Sequence, residues 1–147
     1  MASRPTQSAE DYLERIHELI QEKGYARVVD IAESLKVREA SVTAMVQRLA
    51  EQGYLKYVRY RGLMLTERGR EVACGIQRRH ETLERFFSVL GIGVATRARD
   101  IEGMEHHLSA ETVALLADLA VFFEEHPEAL ERFLESRSRQ GSPVARE

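Results

Sequence analysis

The stretch REASVTAMVQRLAEQGYLKYVRYRGLMLT, residues 38–66, decides the fold. Its first half sets Val42, Met45, Val46 and Leu49 at helical spacing and stops at Gly53, so it reads as a helix over about 39–52 with those four residues inward. The second half changes period. Residues 54–60 are rich in β-formers, Arg61-Gly62 makes a tight turn and Leu63, Met64 and Leu65 return, which reads as a small hairpin.

Upstream, residues 8–23 carry Tyr12, Leu13, Ile16, Leu19 and Ile20 at helical spacing, with Ser8 as N-cap, Asp11 three residues on as an approximate capping box, and Gly24 as the stop. A short helix is expected over about 28–35. The connection LKVRE that follows has the length of the turn in a helix-turn-helix. Three short helices followed by a hairpin give the order of a winged helix-turn-helix.

Downstream the chain reads as all helix. A long helix runs from Thr66 or Glu67 to Leu90, with Thr66 as its cap. Gly69 and Gly75 lie inside it, each at a cost of about 1 kcal/mol relative to alanine. Residues 94–107 and 109–126 give two more, the second capped by Ser109 with an incomplete capping box, and Pro127 starts a last one. The expected organisation is mainly α: residues 1–70 a winged helix-turn-helix domain, 71–140 an all-helical dimerisation domain, and 141–147 a disordered tail. TVALLADLAVFF, residues 112–123, is more apolar than a lone amphipathic helix needs, so part of it should meet a second copy of the chain.

Composition narrows the class. The 147 residues are 44% hydrophobic with one cysteine, Cys74. That is enough apolar material for one ordinary domain or two small ones, and it excludes a disulfide framework or a cysteine zinc finger within one chain. No stretch suits a membrane span or a signal peptide, so a cytoplasmic protein with no membrane partner is expected. The net charge of −3 hides an asymmetry: residues 25–79 hold 11 basic and 6 acidic side chains, and residues 80–147 hold 7 basic and 13 acidic. The middle of the chain suits a polyanion, and the flanks suit cations.

A winged helix-turn-helix presents its third helix to the major groove of double-stranded DNA. Arg38, Glu39, Ser41, Thr43 and Gln47 are candidates for that outward face. Arg38 and Gln47 suit base edges, and the small polar residues let the helix N-terminus approach phosphates. In the wing, Lys56, Arg59 and Arg61 lie near Tyr57 and Tyr60 and suit phosphate or minor-groove contact, and Arg27 adds a phosphate contact before the second helix. The alternative is a solvated surface on a domain that binds protein instead.

The acidic half contains DIEGMEHHLS, residues 100–109. On a helix Glu102, Glu105 and His106 share one face and His107 points away. Two carboxylates and an imidazole suit a hard to borderline divalent cation. Asp11 and Glu14 repeat the theme on the first helix, and His80 sits where the chain turns from basic to acidic. If these converge they offer four carboxylates and two imidazoles, enough for two ions. Each also has a plainer reading. Asp11 and Glu14 offset a helix dipole, a lone histidine is commonly structural, and EGMEHH by itself is as well read as a solvated charge cluster. Glu14 and His17 form one Glu-x-x-His pair, weak evidence for a di-iron bundle. His17, His107, His126 and Cys74 are assigned structural roles.

Taken together, EDYLERIHELIQEKGYARVVDIAESLKV, SVTAMVQRL, YRGLMLTERG, RRHETLERF and DIEGMEHHLS resemble the manganese transport regulator family, a branch of the diphtheria toxin repressor group, over about residues 8–125. The resemblance implies a homodimeric winged-helix repressor of manganese-uptake genes that binds operator DNA. It implies Mn2+ as cofactor, two per subunit, carried by Asp11, Glu14, His80, Glu102, Glu105 and His106. Fe2+, Cd2+, Co2+ or Zn2+ would bind with differing activation. In the iron-sensing branch a methionine stands in place of Asp11 and a cysteine in the later segment; the carboxylates here favour the manganese branch, which lacks an SH3-like C-terminal domain. The approach to the third helix, VREASV, departs from the family, so the operator does not transfer. The implied switch draws ligands from both parts of the chain, so metal would fix the spacing of the two recognition helices. The alternatives are a metal-independent winged-helix protein and a di-metal enzyme.

Overall fold

The structure is a computed structural model that describes residues 5–141. The elements run α1 (Gln7–Lys23), α2 (Val28–Leu35), α3 (Glu39–Glu51), β1 (Leu55–Val58), β2 (Gly62–Leu65), α4 (Glu67–Val89), α5 (Val94–Met104), α6 (Ala110–Glu125) and α7 (Pro127–Arg139). The chain divides into two compact units between Gln77 and Arg78, inside α4. Residues 71–77 group with the first unit because Val72 and Ala73 pack on its core. Residues 142–147 of the expected disordered tail lie outside the described residues.

In the first unit, α1 presents Tyr12, Leu13, Ile16 and Leu19, α2 Ile31 and Ala32, α3 Val42, Val46 and Leu49, and the hairpin Leu55, Leu63 and Leu65 to one core. Each such leucine or isoleucine taken fully out of water contributes roughly 1.5–3 kcal/mol. Met45, expected inward, is only half-buried at the core's edge, and Arg48 donates to its Sδ at 3.0 Å.

The ends of these elements are set locally. Thr6, not Ser8, caps α1: its backbone is extended and its Oγ1 accepts from the Ala9 N–H at 3.3 Å, which leaves Ser8 inside the first turn. Gly24 stops the helix at φ 81°, and Lys36 ends α2 in the same left-handed region at φ 55°. Lys23 Nζ meets Asp30 at 2.9 Å and ties the end of α1 to α2.

The hairpin pairs Leu55 with Leu65 and Val58 with Gly62. Its turn falls earlier than expected, over residues 59–61 rather than at Arg61-Gly62. The Arg61 N–H donates to Val58 O at 3.0 Å, which closes the chain around Arg59 and Tyr60, and Gly62 already belongs to β2. Thr66 caps α4 as expected, accepting from the Gly69 N–H at 3.1 Å while its hydroxyl donates to Gly53 O at 2.6 Å. Arg68 donates to Gln52 O at 3.0 Å and to the Tyr54 hydroxyl at 2.9 Å, with its guanidinium over the Tyr54 ring.

The second unit is helical. Among its described residues Leu83, Ile101 and Ala120 are the fully buried apolar side chains. Ser109 caps α6, accepting from the Thr112 N–H at 3.1 Å. Arg85 grips Glu124 with both ends of its guanidinium, and Arg97 meets Glu84 at 2.8 Å. Phe122 packs edge-on to Phe123, and Phe123 lies near Phe133 of α7. No helix among the described residues is long and apolar enough to cross a membrane.

Candidate metal centre and nucleic-acid interface

α5 ends at Met104, three residues before the expected end. The Glu105 N–H still donates to Ile101 O at 2.9 Å, but the His107 N–H donates to Met104 O at 2.9 Å. The last turn therefore tightens from an i−4 to an i−3 pattern, and Glu105 and His106 occupy a turn rather than a helix face. This turn carries them inward: Glu105 and His106 are buried, whereas Glu102 and His107 are exposed.

Glu105 is the centre of the arrangement. Its side chain faces His80 of α4, with Oε2 2.8 Å from Nδ1, and its Oε1 lies 3.5 Å from His106 Nε2. Only 4% of the residue's surface reaches solvent. A buried carboxylate needs a cation or strong donors against it, and here it faces two imidazoles. In the first unit Asp11 and Glu14 lie one turn apart on α1, both half-buried, and each has an interaction partner.

Among the described residues no group of three or more histidine, cysteine, aspartate or glutamate side chains stands in a metal-holding arrangement. The structure thus joins His80, Glu105 and His106 pairwise and leaves Glu102 on the surface. The donor chemistry fits a divalent ion all the same, since a buried carboxylate beside two imidazoles is an oxygen-and-nitrogen set suited to manganese, iron, cobalt or zinc.

The remaining histidines have other occupations. His17 is buried and its Nε2 lies 3.7 Å from Cys74 Sγ, which takes it out of the Glu-x-x-His pair. His126 stacks on Phe122 at 4.6 Å.

Arg38, Glu39, Ser41, Thr43 and Gln47 are all exposed on α3 and its approach, as are Ala40, Ala44 and Arg48. Arg38 is the N-cap residue but makes no side-chain cap bond. The Thr43 hydroxyl donates to Glu39 O at 3.0 Å, so its proton is not available to a partner. Arg27, Arg59 and Arg61 are exposed too. Two of these arginines lie over rings, Arg27 on Tyr25 at 4.5 Å and Arg59 on Tyr60 at 4.9 Å. Tyr25 and Arg48 lie outside the expected set of DNA-contacting residues. The YAR and RYR triplets carry the stacking signal, and Arg48, one residue after Gln47, shares the surface of α3.

Comparison with known proteins bears on both halves. Residues 5–63 match the family described as iron dependent repressor, N-terminal DNA binding domain. Residues 66–134 match iron dependent repressor, metal binding and dimerisation domain. The chain is 48% identical over 139 residues to the HTH-type transcriptional regulator MntR of Geobacillus kaustophilus, an alignment covering 93% of this chain and 99% of that protein. Among solved structures it resembles the manganese regulator SloR, with a TM-score of 0.67 and 27% identity over 80% of this chain and 54% of that one. It also resembles a manganese-dependent transcriptional repressor in complex with manganese, with a TM-score of 0.64 and 27% identity over 78% and 53%. The chain spans about half the length of those two solved structures.

Proposed function

The chain belongs to the iron-dependent repressor family, and from that premise we propose that it is a manganese-responsive transcriptional repressor, akin to its MntR relatives, that acts as a homodimer on operator DNA. It is a regulator rather than an enzyme. The observation that carries the metal reading is the buried Glu105 carboxylate set against His80 and His106.

Asp11, Glu14, His80, Glu102, Glu105 and His106 are the proposed ligands, for two Mn2+ per subunit. A bound divalent ion would neutralise the carboxylates and favour one arrangement of them. His80 and His106 supply nitrogen donors, and the Glu105 carboxylate lies against both imidazoles. Glu102, exposed on α5, is included on the strength of the family resemblance. Asp11 and Glu14 come from α1 in residues 1–70, the proposed DNA-binding domain, and the others from residues 71–140, the proposed metal and dimerisation domain. Metal occupancy and DNA affinity are therefore coupled, each strengthening the other by the same factor. Fe2+, Co2+, Cd2+ and Zn2+ compete, and those later in the Irving–Williams order bind at least as tightly. Selectivity then rests on coordination number, which zinc tends to leave at four.

On DNA, Arg38 and Gln47 face base edges, Glu39, Ser41 and Thr43 line the approach of α3, and Arg27, Arg59 and Arg61 meet the backbone or minor groove. The regulated genes are those of manganese uptake, and the protein works in the cytoplasm.

The test is fluorescence anisotropy of the full chain on promoter DNA, first in chelator and then with Mn2+, beside a Glu102→Ala, His106→Ala double variant. Manganese should tighten wild-type binding by at least about ten-fold and leave the variant unmoved. Equal affinity with and without metal would end the manganese reading and leave a metal-independent DNA-binding protein.

A further inference from the structure

Tyr60 stands at the tip of the wing with φ 67°. That is the left-handed region, where a Cβ is disfavoured and a turn normally places glycine or asparagine. The position gains no packing in return: Tyr60 is 91% exposed, more than any other large apolar side chain among the described residues. A strained backbone and a bare aromatic ring both count against the fold, and such strain persists where function uses it.

The contact the ring does make is with Arg59, whose guanidinium carbon lies 4.9 Å from the ring centroid. Phosphate binding does not call for such a platform, since a free lysine would serve. A platform matters when a planar guanidinium must enter a confined space with its side chain already ordered. The minor groove is such a space. Where A·T pairs narrow it, its negative potential rises and draws in arginine, whereas G·C pairs place the guanine amino group on its floor.

We infer that Arg59, held by the Tyr60 ring, is a minor-groove reader that gives the protein a preference for A·T pairs beside the sequence read by α3. This rests on the DNA-binding reading above. Arg59 touches the DNA, and Tyr60 is a positioning residue.

The test begins by selecting random-sequence duplexes on the full-length wild-type protein with Mn2+ and locating the wing by minor-groove footprinting. The pairs under the wing are then made A·T, G·C or inosine·C, the last lacking the guanine amino group. Wild type should bind the G·C duplex about ten-fold more weakly than the A·T one, and the inosine duplex like A·T. Tyr60→Phe should keep this pattern. Tyr60→Asn, which suits the backbone, and Arg59→Lys, which keeps the charge, should bind all three duplexes alike. Tyr60→Asn should also melt no lower than wild type. Discrimination that survives in Tyr60→Asn, or is absent from wild type, overturns the inference while leaving the repressor reading intact. Failure of wild type to enrich any sequence overturns the repressor reading and this inference with it.

Discussion

His17 lies on the buried face of α1, 3.7 Å from Cys74 Sγ. Burial first, and the charge of Arg70 second, hold its pKa below the usual 6.5, with Glu18 opposing. The unfolded chain therefore takes up a proton near pH 6.5 while the folded chain still binds none, so stability rises with pH through that window and is lost as pH falls below it. His17→Phe removes the titration. The melting temperature of wild type should drop more steeply than that of the variant between about pH 7.5 and pH 5.5. A difference between the two proteins that stays constant across that range would mean the folded chain protonates His17 as easily as the unfolded one. The sequence made His17 look structural by exclusion, but a partner 57 positions away leaves no periodicity to read. Glu105 and His80 are each expected as metal ligands from residue type and the family resemblance, but their direct contact across 25 positions leaves no signal in the sequence.

At the level of elements, the long helix α4 separates two glycines that looked alike. Gly69 passes so close to the hairpin that an added Cβ would stand 2.1 Å from Tyr54 O, a backbone atom with no rotamer to move away. Gly75 has nothing within 4 Å of the same position. Gly75→Ala should therefore stabilise by about 1 kcal/mol through helix propensity. Gly69→Ala should destabilise by about 3 kcal/mol or more as an overpacked contact. Urea unfolding of both variants at one fixed protein concentration measures this, and a shift of the same sign in both would show that α4 does not approach Tyr54 as described. Helix periods and the caps at Thr66 and Ser109 were legible because they depend on neighbours within four residues. The cap at Thr6 was missed because Ser8 is an equally good local signal. The early end of α5 was missed because His106 and His107 carry no terminating residue type.

For the whole molecule, the second unit poses the question of its partner. Its described core is small, with Leu83, Ile101 and Ala120 fully buried, while Leu115 is 60% and Phe122 46% exposed on α6. A helical unit with so little buried apolar area is marginal alone, and apolar side chains of this size on a surface mark a place another protein covers. The apolar run over 112–123 already pointed there, since only the excess over an amphipathic stripe is needed to see it. Which residues face a partner was not legible, because periodicity cannot divide an all-apolar helix between two neighbours. A second copy is the natural cover, and a two-fold axis sets each side chain against an equivalent surface. A Leu115→Glu, Phe122→Glu double variant then places two pairs of like charges in one interface. Wild type should sediment as a dimer at micromolar concentration and the variant as a monomer. The variant should also lose operator affinity, because two joined half-site readers bind far better than one. A variant that remains dimeric would move the interface off this face of α6, and a wild type that sediments as a monomer would remove the basis for paired half-sites altogether.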